Sequence, residues 1–176
     1  MNVKVMAVLK EWVIIILIAL AIAVVLHMFV FDTRMVPTAS MYPTIAVGDR
    51  VINEKITYLF SDPKRGDIIV FAPPPTVSSH DDLLKRVIGL PGEYVEIKNG
   101  GVYINDQLLE ESYLAEKPNY TYAKVLVPEG HYFVMGDNRN SSADSHRWED
   151  PFLPRENIKG RVVFRYWPLN RMGTVK

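Results

Sequence analysis

Twenty consecutive residues, Trp12 to Phe31, carry a single polar side chain, His27. At 1.5 Å per residue a helix of this length is about 30 Å long, the thickness of a bilayer's hydrocarbon core. The run is apolar all round, which a helix packed on one side of a soluble domain is not. A cleavable secretory signal has a shorter apolar core, about 7–15 residues, followed by a small-x-small site. Cleavage near Ala39 would cut through a motif described below, so an uncleaved signal anchor at 12–31 is expected. Trp12 and the Phe29/Phe31 pair lie near its two ends, as interfacial aromatics do, and His27 is expected to be an interfacial group. Lys4 and Lys10 precede the run with Glu11, and Asp32 and Arg34 follow it. The Lys/Arg balance puts residues 1–11 in the cytoplasm by a small margin and residues 32–176 outside, in a single-pass topology.

About 145 residues then remain, enough for one domain or one domain with a small appendage. The 12 prolines and 10 glycines favour turns and short strands over a helical bundle. Lys plus Arg and Asp plus Glu each number 20, so nothing in the charge suggests nucleic acid as a partner. There is no cysteine, which excludes disulfides, thiolate catalysis and thiolate metal sites.

Strand signals follow one another along the chain. Val47–Asn53 reads as a turn entering a strand. Asp67–Phe71 is a short continuous apolar run of the kind found in buried strands. Pro73, Pro74 and Pro75 stop it and open an exposed loop to Asp82. Leu83–Leu90 is apolar around Lys85 and Arg86, and strand alternation sets Lys85 on the face opposite Leu84 and Arg86. Tyr94–Lys98 and Val102–Asn105 flank Asn99-Gly100-Gly101, a hairpin signal. Lys124–Val127 and His131–Met135 flank Pro128-Glu129-Gly130 and read as a second strand-turn-strand. Ile158–Trp167 is an aromatic-rich closing strand. The fold class is mainly β, mostly antiparallel with local hairpins, behind one N-terminal helix.

Three stretches could carry chemistry. In Val36-Pro37-Thr38-Ala39-Ser40-Met41-Tyr42-Pro43-Thr44 two prolines bracket a serine beside the apolar run. Each fixes φ near −65° and pushes the residue before it towards extended geometry, so a stiff, extended loop is expected. On its own it reads as a juxtamembrane linker. A serine needs a base. His80 lies in the exposed loop, His131 begins a strand, and the pair Asp144/His146 is conceivable as a triad fragment. Lysine serves only when burial without a carboxylate partner lowers its pKa. Lys85 has the most apolar neighbourhood of the lysines, although a lysine on the exposed face of a strand would show the same pattern. The third stretch, Met135–His146, is polar at nearly every position and can build a hydrogen-bonded network behind a site. Its Asp137, Asn138 and Asp144 lack EF-hand spacing, so no metal is assigned.

In this order behind an apolar anchor, the three stretches resemble the type I signal peptidase family, membrane-bound Ser/Lys-dyad serine proteases that remove signal peptides from exported preproteins. Pro37-Thr38-Ala39-Ser40-Met41-Tyr42-Pro43-Thr44 fits the nucleophile motif. Lys85-Arg86-Val87-Ile88-Gly89-Leu90-Pro91-Gly92 fits the lysine motif. Gly136-Asp137-Asn138-Arg139 and Ser142-Ala143-Asp144-Ser145 fit the last motif, with His146 where the family has arginine. Asp144-Ser145-His146-Arg147-Trp148 and Phe164-Arg165-Tyr166-Trp167-Pro168 look more like the cyanobacterial and thylakoid branch than the enterobacterial one.

The resemblance implies a β-sheet catalytic domain with a small β excursion, placed roughly at 97–125. It implies Ser40 as nucleophile and Lys85 as general base, with the Ser40 N–H and the Thr38 hydroxyl holding the oxyanion. Most of the family has serine at the Thr38 position. Ser142 would orient the lysine, Gly136 would leave room for it, and Asp144 would brace the loop, its partner put in doubt by His146. Val36, Met41, Ile45 and Leu84 would line shallow apolar pockets, and a signal peptide would add as an extended strand near Val36 and Leu84, cut after A-x-A. No cofactor is implied. The implied partners are signal peptides, the lipid bilayer of a cell or thylakoid membrane, and the export machinery. Two competing readings are a self-cleaving Ser/Lys repressor, which lacks the anchor and the Gly136–Arg139 stretch, and a catalytically dead homologue acting as a membrane-bound binding module.

Overall fold

A computed structural model describes residues 3–79 and 81–175, without the side chains at 3–5, 7, 8 and 25–28. His80, and the side chain of His27, lie outside the described residues. Helix α1 runs Val3–Phe29. It starts nine residues before the expected anchor and ends two before it, because Phe31 opens a strand paired to Glu54. From Leu9 to Val24 its large apolar side chains are exposed. The described side chains of this stretch cover fewer than the roughly 20 positions a span needs. Among the described residues no helix is long and apolar enough to cross a membrane.

The rest is mainly β. In chain order the elements are β1 (Phe31–Met35), β2 (Arg50–Glu54), a single-turn helix α2 (Thr57–Phe60), β3 (Ile68–Phe71) and β4 (Leu83–Gly89). They are followed by β5 (Tyr94–Lys98), β6 (Gly101–Ile104), β7 (Gln107–Leu108), β8 (Tyr122–Leu126) and β9 (His131–Met135). The last are β10 (Leu153–Pro154), β11 (Ile158–Trp167) and β12 (Gly173–Thr174). An eight-stranded sheet has the order β1-β2-β11-β3-β4-β9-β10 with β12 beside β11, and a four-stranded sheet has the order β7-β6-β5-β8. Every pairing is antiparallel. The four apolar residues of β3 are buried throughout, as their unbroken run requires. The β5–β6 hairpin turns at Asn99 and Gly100 with φ of 52° and 71°, the left-handed pair that a two-residue hairpin needs.

Two expectations fail here. The strands flanking Pro128-Glu129-Gly130 do not form a hairpin. β8 pairs with β5 and β9 pairs with β4, in different sheets. The Val127 N–H donates to Glu93 O, and the Gly92 N–H donates to Val127 O, both at 2.9 Å. The chain is thus committed to the small sheet before the turn begins. The stretch 36–44 is also not an extended loop. The Tyr42 N–H donates to Ala39 O at 3.1 Å and the Ile45 N–H to Met41 O at 2.9 Å, so the chain coils back after Ser40. That turn drives Met41 and Ile45, four residues apart on one face, into a core with Val51, Ile68, Val70 and Val162. Burying these two side chains offsets the extended preference of residues that precede proline.

Candidate active site

Ser40 sits at the start of this turn, with its backbone held by the loop that follows β9. The Asn138 N–H donates to Ser40 O at 3.0 Å, and the Asn138 side-chain amide donates to Ala39 O at 3.1 Å. The Thr44 hydroxyl donates to Asp137 at 2.5 Å. The 136–146 loop therefore grips the serine turn at three points.

Lys85 comes from the middle of β4, which lies between β3 and β9 and is covered on both faces. The lysine is 4% exposed and so is not the surface residue that simple alternation allows. Its Nζ donates to Ser40 Oγ at 3.0 Å and to Leu84 O at 3.1 Å. Among the described residues it forms no ion pair. Burial pushes its pKa below 10.5, partly countered by the charge of Asp144. A lysine whose pKa is lowered by burial, aimed at a serine hydroxyl, can take that proton at a lower pH than an exposed lysine can. Thr38 Oγ1 lies 3.3 Å from Ser40 Oγ, exposed on the open side of the turn.

The supporting residues divide. Gly136 has no room for a side chain: a Cβ there would collide with Ser40 O and Ser142 Oγ, and would lie 2.7 Å from Ser142 Cβ. Asp144 is fully buried, accepting from the Gly136 N–H at 2.8 Å and from His146 Nδ1 at 2.5 Å. Arg147 Nε donates to His146 Nε2 at 3.2 Å, which leaves Nδ1 to carry the proton that Asp144 accepts. Histidine thus keeps Asp144 partnered in the arginine's place, and its ring stacks on Tyr120 with centroids 4.2 Å apart. Ser142 is buried, yet its Oγ has no hydrogen-bond partner among the described residues. The structure therefore does not show it bonded to the lysine.

A cleft of about 500 Å³ opens beside the pair, lined among others by Val36, Thr38, Ser40, Met41, Leu84 and Lys85. Ile45 does not reach it. It is 0% exposed beneath the turn, because the i to i+4 spacing from Met41 points it inward. Val70, from the floor strand β3, lines the cleft instead and was not singled out in the sequence. Also unanticipated is the buried pair Arg86–Asp137. Arg86 Nε and Nη2 donate to the two carboxylate oxygens at 2.8 and 2.7 Å, with the guanidinium 3.9 Å from the Tyr113 ring centre. Arg139 is likewise buried and donates to both oxygens of Glu111 at 2.6 and 2.5 Å. Both arginines lie inside the quoted motifs, so their positions were visible, but their acidic and aromatic partners are set only by the folded chain.

Residues 9–167 match the family described as signal peptidase, peptidase S26. The chain is 46% identical over 158 residues to probable signal peptidase I-2 of Synechocystis sp., covering 88% of this chain and 72% of that one. It is 47% identical over 160 residues to signal peptidase I of Leptolyngbya laminosa, covering 88% and 78%. To thylakoidal processing peptidase 1, chloroplastic, of Arabidopsis thaliana it is 40% identical over 162 residues, covering 88% and 47%.

Proposed function

The chain belongs to the signal peptidase family, peptidase S26, and from that premise we propose that Ser40 and Lys85 are its nucleophile and general base. It is a serine endopeptidase that removes signal peptides. The observation that carries the assignment is the 3.0 Å contact to Ser40, on the cleft, from a buried lysine that has no ion-pair partner among the described residues. Neutral Lys85 accepts the Ser40 hydroxyl proton as Oγ attacks the scissile carbonyl, returns it to the leaving amine, and then activates water against the acyl-enzyme. The Ser40 N–H and the Thr38 hydroxyl face the developing oxyanion, and losing one such donor typically costs about 10²–10³ in rate. Asp144 braces the loop through the Gly136 N–H, and Ser142 stands beside Gly136 as a candidate partner for the lysine.

The substrate enters as an extended strand between two open edges. Among the described residues β1 pairs only with β2, and β4 has no partner on its β9 side before Arg86. Val36, Met41 and Leu84 line that gap with apolar surface, which suits small residues at the first and third positions before the cut. The exposed apolar side chains of α1 support a membrane anchor that begins at Trp12, with the short stretch before it, 1–11, on the cytoplasmic side. The catalytic domain then works outside, at a cell or thylakoid membrane, where exported chains emerge from the export machinery. The catalytic sheet together with the excursion spanning β5–β8 makes up that domain.

The test is cleavage of a preprotein peptide after A-x-A by the purified chain. Ser40→Ala and Lys85→Ala each abolish it while leaving the fold intact. Full activity in Lys85→Ala would sink the dyad.

A further inference from the structure

At the end away from Ser40 and Lys85 the cleft closes on a cluster of charge. Arg34 of β1 pairs with Asp82 at 2.9 Å and with Asp32 at 2.7 Å. Lys159 of β11 reaches the other oxygen of Asp82 at 2.6 Å. Asp81 stands exposed beside them, and Arg34, Asp81 and Asp82 all line the cleft. Arg34 and Asp82 belong to opposite walls. The order β1-β2-β11-β3-β4 puts four inter-strand steps between those walls. At about 4.8 Å each, a flat sheet would hold them about 19 Å apart. The direct contact between Arg34 and Asp82 means that the sheet curls until its edge strand faces the start of β4. The ion pair spans the mouth that this curl creates.

Resting on the reading of Ser40 and Lys85 as the catalytic pair, we propose that the Arg34–Asp82 bridge is a specificity site that reads the charge of the fourth or fifth substrate residue before the cut. Asp82 lies three positions before Lys85, and Arg34 two before Val36. Extended chain advances about 3.3 Å per residue, so the bridge lies about 10 Å upstream of the catalytic pair. A peptide with its first residue before the cut at Ser40 delivers its fourth or fifth to the bridge. There the carboxylates of Asp32, Asp81 and Asp82 outnumber the cations of Arg34 and Lys159. An acidic substrate side chain is disfavoured at this rim, and a neutral or basic one is accepted. The groups are partly exposed, Arg34 by 40% and Asp82 by 13% of their side chains. The effect is therefore modest, about two- to fivefold in KM, the range expected for a partly solvated ion pair.

The experiment measures KM and kcat at about pH 8, where histidine is neutral. The substrates are A-x-A peptides with Glu, Ala or Lys at the fourth and fifth positions before the cut, and a short peptide that begins at the third. The wild type shows a higher KM for Glu than for Lys in the long peptides, with kcat unchanged. Asp82→Asn erases that preference, Arg34→Gln deepens it, and the charge-keeping Asp82→Glu retains it. The short peptide has the same KM in all four enzymes. Absence of any charge preference in the wild type overturns the proposal without recourse to a variant. Equal changes for short and long peptides overturn it too, since they describe a structural staple. Failure of the catalytic reading is separately visible, as undiminished cleavage of the short peptide by Lys85→Ala.

Discussion

Adding one methyl group at Gly136 tests how closely the serine turn and the 136–146 loop must approach. An alanine Cβ there would come inside 3.0 Å of Ser40 O and of both Ser142 Oγ and Cβ. Ser142 Oγ has no hydrogen bond to lose and can rotate away. Ser40 O has no such freedom, because it is backbone and already accepts from the Asn138 N–H. Restoring ordinary contact distances requires the serine turn and the 136–146 loop to part by about 1 Å, and a misplacement of that size can cost about 10²-fold in rate. Overpacking of this kind also costs about 1–3 kcal/mol of stability. Gly136→Ala is therefore expected to lower kcat about 100-fold on an A-x-A peptide, with little change in KM and a fall in Tm of several degrees. The double variant Gly136→Ala/Ser142→Gly separates the two clashes. It regains part of the Tm but not the rate, since the contact with Ser40 O persists. A single variant with kcat within about threefold of wild type and an unchanged Tm would refute the claim that this close approach sets the nucleophile's position.

Three more outcomes follow from the buried charges. The pH–rate profile rises as Lys85 loses its proton, below the ordinary lysine range because burial lowers its pKa. Asp144 pulls the other way, so Asp144→Asn moves the rising limb to lower pH, and a move to higher pH would contradict this. The same depression has a sign for stability: it is greatest above the unfolded lysine's 10.5 and falls as the pH drops towards the lowered folded value, where a buried ammonium opposes folding. Lys85→Met should thus raise Tm at neutral pH while abolishing cleavage, as scanning calorimetry and the peptide assay would show. Asp137→Ala strands the Arg86 guanidinium, 2% exposed, without its carboxylate. Breaking a buried pair in this way typically costs about 3–5 kcal/mol, readable in chemical denaturation, and a loss under about 1 kcal/mol would show that the pair is not energetically coupled.

The local signals that proved reliable are those with a short-range cause. The continuous apolar run at Ile68–Phe71 is typical of a buried strand and is one, and Asn99-Gly100 supplies the left-handed backbone that its hairpin turn requires. Ser40, Lys85 and the 136–146 stretch were recognisable because motif spacing lies within each segment. Ile45 lies beneath the serine turn instead of on the cleft, because its direction depends on a turn after Ser40 that its flanking prolines did not suggest. The strands on either side of Pro128-Glu129-Gly130 look like a hairpin, yet they part into two sheets, since pairing to Tyr94–Val95 and to Arg86–Val87 is decided by residues far along the chain.

The sequence by itself determined the β character and the apolar N-terminal helix and offered Ser40 and Lys85 as candidates, because periodicity, propensity and motif spacing are local properties. Only the tertiary structure decided what those groups can do. Ser40 and a lysine 45 positions later come within 3.0 Å of each other when β4 is set between β3 and β9 and the lysine loses its water. The same holds for Asp144, whose charge and partners matter only once folding buries it beside Gly136 and His146. Desolvation is a property of the assembled core, and no reading of neighbours along the chain contains it.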